Sequence, residues 1–310
     1  MRRAVIDIGT NSVKLLVADI GGPDIVPILE SAEQTRLGRG FYENHVLQRQ
    51  AITDTARVVA DFAQLAREQG ALSIRVFATS AARDAKNPGE LVVAVQAACG
   101  LHPEIISGEQ EADWAFRGVT TDARLARQPL LLMDVGGGST EFILGQGDQK
   151  HFRRSFPLGA VRLLETQPHA DPPLPAQLAA TRAHLREFLG TQVVPHLAAA
   201  LARERRQGTL ILVGTGGTAT VLARMETGLE NHDRLKIDGV RLASAAVAGW
   251  VERLWSLPLA DRRRLPGLPR ARADVMLFGS AIYEAAMDVL GFAELRVTTR
   301  GLRFAAVADL

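Results

Sequence analysis

Two stretches of the chain share one pattern: an apolar run that ends in an aspartate, a turn of small residues, and a second apolar run. AVIDIGTNSVKLLVAD places Asp7, Gly9, Thr10, Asn11 and Ser12 between its runs; LLLMDVGGGSTEFILG places Asp134, Gly136, Gly137, Gly138, Ser139, Thr140 and Glu141 between its own. Apolar runs of this length bounded by turn residues predict strands, so each stretch predicts a β-hairpin. A glycine-rich turn leaves its N–H groups uncovered and lets a ligand approach the backbone, which suits phosphate oxygens. The pattern predicts a duplication, with two anion-binding turns on two related halves that face each other across a cleft.

Between the hairpins, VPILESAEQTRLG predicts a further strand and an exposed loop. Ile52, Val58, Val59, Phe62 and Leu65 then recur at helical spacing over 47–69. A strand over 74–78 turns at Thr79 and Ser80 into a region holding Arg83 and Asn87, and Pro88 opens a helix to about Cys99. A short strand over 104–106 precedes Ser107, whose spacing to Gln110 is that of a capping box, with Glu109 and Glu111 in the first turns. Glu109 reads as a complement to the helix dipole. The polar TTDARLARQ that follows predicts a linker, dividing the chain into domains 1–124 and 125–310.

In the second domain, SFPLGAVRLLE returns Gly159 and Arg162 to a strand-to-helix junction. A proline-rich loop runs over 169–175, and an Ala/Leu helix, or two broken near Pro195, extends to about Arg206. TLILVGTGGTATVLARM is a third strand-glycine-helix unit carrying Gly216 and Gly217; it fits a G-x-G-x-x-A pattern but lacks the second strand ending in a ribose-binding acid. A helix from near Ala273 and a strand over 294–298 close the pattern, with a short tail expected to pack back on the first domain. Strands alternating with helices predict an α/β protein.

Composition adds few constraints. At 310 residues two domains are favoured, and 47% hydrophobic with 23% charged residues is ordinary for a folded domain. Cys99 is the single cysteine, which removes intrachain disulfides and suits a reducing cytoplasm. No apolar run reaches the roughly 18 residues of a membrane span, and neither a membrane nor nucleic acid is expected as a partner. Net charge is +2, yet lysine occurs only at positions 14, 86, 150 and 236, leaving 32 arginines among 36 basic residues. Arginine matches phosphate in a bidentate way, although a compositional preference of the source organism is the simpler explanation of such a bias. Arg262, Arg263, Arg264, Arg270 and Arg272 cluster around a Pro-Gly turn, as an anion patch or as a solvated face.

The familiar nucleophile and P-loop motifs are missing: there is no G-x-x-x-x-G-K-[ST], no G-x-S-x-G and no H-E-x-x-H. Anion-binding turns edged by Asp7, Asp134 and Glu141, with Glu111 on a helix, remain. Phosphoryl transfer is run by such parts, because it demands positioning, charge neutralisation and an oriented nucleophile more than covalent help.

AVIDIGTNSVKLLVA, FATSAARDAKN, IISGEQEADWAFRGV, LLLMDVGGGSTEFILG, FPLGAVRL, LVGTGGTAT and LPGLPRARADVMLFG, in this order, resemble the exopolyphosphatase and guanosine pentaphosphate phosphatase family. The resemblance implies the actin and sugar-kinase-like fold, two ribonuclease-H-like domains flanking a cleft. It further implies Glu111 as base for the attacking water, Asp134 and Glu141 as water-orienting and Mg²⁺-binding acids, and Asp7 as a further metal contact. Arg83, with Asn87 near it, is implied to grip the terminal phosphate, helped by the turn residues Thr10 to Ser12, Gly136 to Thr140, Gly216 and Gly217 and by Arg270 and Arg272. The expected substrate is inorganic polyphosphate or guanosine pentaphosphate, and a homodimer is expected. Where members of the family often carry SDRGLREG, this chain has TTRGLRFA over 298–305. An ATP-dependent kinase of the same fold and a non-catalytic polyphosphate or alarmone sensor are the competing classes.

Overall fold

In the computed structural model, which describes residues 1–21 and 24–310, both predicted hairpins are present. The elements run β1 Arg2–Ile8, β2 Val13–Gly21, β3 Asp24–Glu33, α1 Arg49–Glu68, β4 Ile74–Ala78, α2 Ser80–Asp84, α3 Pro88–Cys99, β5 Glu104–Ile105 and α4 Gly108–Thr120. They continue with α5 Ala123–Ala126, β6 Leu130–Val135, β7 Thr140–Gln146, β8 Gln149–Phe156, α6 Ala160–Thr166, α7 Pro175–Phe188, α8 Val194–Gln207, β9 Ile211–Thr215 and α9 Gly216–Thr227. The remainder is α10 Arg234–Ile237, β10 Arg241–Ala243, α11 Ser244–Ser256, α12 Leu259–Arg262, α13 Met276–Leu290, β11 Glu294–Val297 and α14 Leu302–Ala308.

The chain divides into two compact units, residues 1–122 with 300–310 and residues 123–299. The first holds a sheet of order β3-β2-β1-β4-β5, the second a sheet of order β10-β11-β9-β6-β7-β8. Counted from its hairpin, each sheet has the same plan: a first strand antiparallel to the second and parallel to the fourth. Asp7 pairs with Lys14 across the first hairpin, and Asp134 with Glu141 across the second, so the two aspartates hold the same register position. Gly9 N–H donates to Ser12 at 3.0 Å and Gly136 N–H to Ser139 at 2.9 Å, closing both turns identically.

Alternation along the strands builds each core. In the first unit Ile6, Ile8, Leu15 and Val17 pack with Val58, Val59 and Phe62 of α1; in the second Met133, Phe142 and Leu144 pack with Trp255, Phe278 and Ile282. Each such side chain, fully buried, contributes roughly 1.5 to 3 kcal/mol.

Two sequence expectations change, and one open alternative is decided. The loop after β3 is not exposed at its anchor: Leu37 and Phe41 are fully buried, and Arg36 and Gly38 donate their N–H groups to the carbonyls of Asn11 and Thr10. Of the two forms expected for the Ala/Leu segment the structure has the second, two helices joined by a π-helical turn, Leu189–Val193, just before Pro195, whose missing N–H cannot continue the ladder. The division at residue 124 left the C-terminal residues in the second domain, whereas the structure gives 300–310 to the first. The reason is close packing of α14 on α4: Gly118 lies against the Gly301 carbonyl, where any Cβ would overlap it, and Asp309 binds Trp114 and Arg117. Among the described residues no helix is long and apolar enough to cross a membrane.

Candidate active site

In the first unit, α2 and the first turn are tied together. Ala81 N–H donates to Thr10 Oγ1 at 3.3 Å, while the Thr10 carbonyl receives Gly38. Oxygens of the turn thus hold neighbouring segments, whereas the N–H groups of Thr10 and Asn11 make no hydrogen bond among the described residues. One turn along α2, Arg83 Nη1 donates to Glu111 Oε2 at 2.9 Å and to the Ile106 carbonyl at 3.2 Å. Glu111 stands in the first turn of α4, whose N-cap Ser107 accepts Gln110 N–H on Oγ at 3.1 Å. Asp7 is only 3% exposed; burial raises its carboxyl above the ordinary range, opposed by Lys14, 3.9 Å away, and by Arg303.

In the second unit, the glycine turn rests on the start of α6. Ala160 N–H donates to Gly136, Val161 and Arg162 N–H to Gly137, and Arg162 Nε to the Gly138 carbonyl. With their carbonyls turned into the protein, Gly137 and Gly138 make no N–H hydrogen bond among the described residues, which leaves a small donor cradle. Glu141 is 1% exposed, and its Oε1 accepts Ser139 Oγ at 2.8 Å and Ser155 Oγ at 2.7 Å. Asp134 lies against Gly216, which opens α9 at φ +79°; a side chain there would be strained and would displace the Asp134 carboxylate. Arg272 packs its guanidinium on Gly217, where burial first and the neighbouring Arg224 second bring its pKa down to about 10, so it stays charged at neutral pH.

A family model for Ppx/GppA phosphatases matches residues 16–309. The chain belongs to the Ppx/GppA phosphatase family. Exopolyphosphatase 2 of Mycobacterium tuberculosis is 32% identical over 294 residues, spanning 91% of this chain and 89% of that one. The crystal structure of the Aquifex aeolicus family member superposes with a TM-score of 0.78 at 30% identity, covering 100% of this chain and 97% of the other. An exopolyphosphatase from Cytophaga hutchinsonii shares the fold, with a TM-score of 0.85 at 23% identity over 98% and 96% of the two chains. The α/β fold of the Ppx/GppA phosphatases is therefore that of this chain, and as a member of that family it is a hydrolase.

Several residues expected at the phosphates have other duties in this Ppx/GppA chain. Asn87 clamps the backbone of Leu47, accepting its N–H at 2.8 Å and donating to its carbonyl at 3.1 Å, so it braces the loop before α1. Thr140 is fully buried and donates its hydroxyl to the Leu158 carbonyl. Ser139 directs its hydroxyl to Glu141, as noted, and Arg270 is exposed at the short 3₁₀ turn that also carries Arg272. Arg262 fits neither reading of the basic segment: it is 2% exposed and holds Asp171 and the Ala273 carbonyl. Ser155 was not singled out from the sequence, because its role depends on the β7/β8 register that sets it opposite Glu141.

The donor set suits Mg²⁺. Asp134 and Glu141 are opposed on adjacent strands, and Mg²⁺ takes hard oxygen ligands, typically one or two carboxylates completed by waters and substrate phosphates. Among the described residues no three Asp, Glu, His or Cys side chains form a closed cage.

Proposed function

We propose that this protein hydrolyses the terminal phosphoanhydride of inorganic polyphosphate and releases orthophosphate. The observation that carries the reading is the Arg83 and Glu111 pair, a guanidinium and a carboxylate in hydrogen-bond contact at 2.9 Å on segments tied to the first turn. Similarity to exopolyphosphatase 2 supports the choice of substrate.

Arg83 offers the planar donors that match a terminal phosphate, and the N–H groups of Thr10 and Asn11 add neutral donors beside it. Glu111 takes a proton from water as the water oxygen bonds to the terminal phosphorus; the bridging P–O bond breaks toward the remaining chain, which leaves one phosphate shorter. In the second unit the backbone of Gly137 and Gly138 and the α9 N-terminus at Gly216 and Gly217 receive phosphate oxygens. Asp134 and Glu141 would hold Mg²⁺, which would supply charge neutralisation for the phosphates when bound. Arg270 and Arg272 extend the basic lining for longer chains.

The test is Glu111→Gln, which keeps side-chain length and removes the base. Turnover is expected to fall by about 10² to 10⁴, while substrate affinity holds or tightens because one negative charge has left the phosphates. Near-parental turnover, with a stability change of about 0.3 to 1 kcal/mol, would instead make Glu111 a partner of the helix dipole only.

A further inference from the structure

The geometry points to Arg83 as the positioning residue for Glu111, so that gripping the terminal phosphate and aiming the base are one event carried by the two edges of a single guanidinium. This inference rests on Glu111 being the base. Arg83 has five N–H donors in a fixed plane. Nη1 is committed to the corner that carries the base, through Glu111 Oε2 at 2.9 Å and the Ile106 carbonyl at 3.2 Å. Nε and Nη2 make no hydrogen bond among the described residues; Asp84 Oδ1 stands 3.9 Å from Nε, beyond hydrogen-bond reach. One edge of the plane is thus used inside the protein, and the other is left for a ligand.

Both ends of this bridge stand on fixed backbone. Arg83 N–H donates to the Thr79 carbonyl, and Ala81, two residues before it, holds the phosphate turn through Thr10. On the other side Ile106 N–H donates to Ala78, and Glu111 N–H to Ser107 inside the capped first turn of α4. The side chains of Arg83 and Glu111 are 22% and 12% exposed, so the pair is better shielded than an ordinary surface ion pair. A lysine keeps the charge, but its single ammonium cannot serve a carboxylate and a phosphate along two edges of one plane.

The experiment is a double-mutant cycle with Arg83→Lys and Glu111→Gln, read as kcat and KM for polyphosphate, with melting temperatures to confirm folding. If Arg83 aims the base, Arg83→Lys lowers kcat by about 10- to 100-fold in the parent, the scale of a lost charged hydrogen bond. In the Glu111→Gln background it changes kcat less than about twofold, since no base remains to be aimed. The rise in KM is the same in both backgrounds. Losses in kcat that multiply, with Glu111→Gln itself strongly impaired, overturn the coupling while leaving the base assignment in place. Near-parental kcat for Glu111→Gln alone overturns the base assignment and this inference with it. Glu111→Asp repeats the comparison from the other end, because the shortened carboxylate withdraws from Arg83. Its loss in kcat is expected to disappear when Arg83 is already lysine, and persistence of that loss counts against the bridge.

Discussion

In the Glu141 carboxylate, Oε1 takes the hydroxyls of both Ser139 and Ser155, which helps to fix the orientation of the side chain. Hydrogen bonds of this kind orient a metal-binding carboxylate and tune its strength. Ser155→Ala removes one of these hydroxyl donors without opening a large cavity. About a tenfold fall in kcat is expected, together with a higher Mg²⁺ requirement and weaker direct Mn²⁺ binding to the free protein, while the melting temperature stays near the parent value. Unchanged Mn²⁺ affinity and parental kcat would show that Ser139 alone is sufficient. At this scale the sequence is a partial guide. The turn-lip positions of Asp7, Asp134 and Glu141 are legible because strand-turn-strand patterning fixes them, whereas the backbone contacts of Asn87 and Thr140 are not. Both are small polar residues in phosphate-like motifs whose hydrogen bonds go to the backbone of segments distant in sequence, Leu47 and Leu158.

Elements were more legible than their ends and anchors. The hairpins, α1, α3 and α4 follow from apolar spacing and from Pro88 and Ser107, whereas the burial of Leu37 and Phe41 in a loop is set by tertiary packing alone. The same holds for α14, whose place depends on Asp309. Its carboxyl is held below the usual range first by the hydrogen bond from Arg117, then by that cation's charge and by Trp114 Nε1, against the opposing effect of burial. A depressed carboxyl stabilises the fold fully above its unfolded value, about 3.9, and ceases to do so as pH falls through the lower folded value. Asp309→Asn is therefore expected to destabilise the protein at neutral pH by about 1 kcal/mol, allowing for the partial exposure of the pair. The gap between variant and parent should close as pH drops below about 4. Thermal unfolding across pH 2 to 7 checks this at roughly the range where carboxylates titrate, and a gap independent of pH would mean that Asp309 acts by packing.

For the whole molecule, duplication is the organising feature: two sheets that share the order of their first four strands, each with an aspartate near the end of its first strand and a turn closed by the same glycine-to-serine hydrogen bond. That duplication was readable because two turns of unusual composition recur 127 residues apart, and the matching register of Asp7 and Asp134 is its structural expression. The copies differ across the hairpin, with Lys14 opposite the first aspartate and Glu141 opposite the second. The central claim is that these parts make an exopolyphosphatase, and it is tested most directly by hydrolysing polyphosphate of defined length with Mg²⁺ in oxygen-18 water. The account predicts that each turnover releases one orthophosphate carrying one labelled oxygen and leaves a chain shorter by a single unit, with no acceptor needed. Release of mid-chain fragments, unlabelled phosphate passed to an acceptor, or turnover of guanosine pentaphosphate with polyphosphate left intact would contradict it.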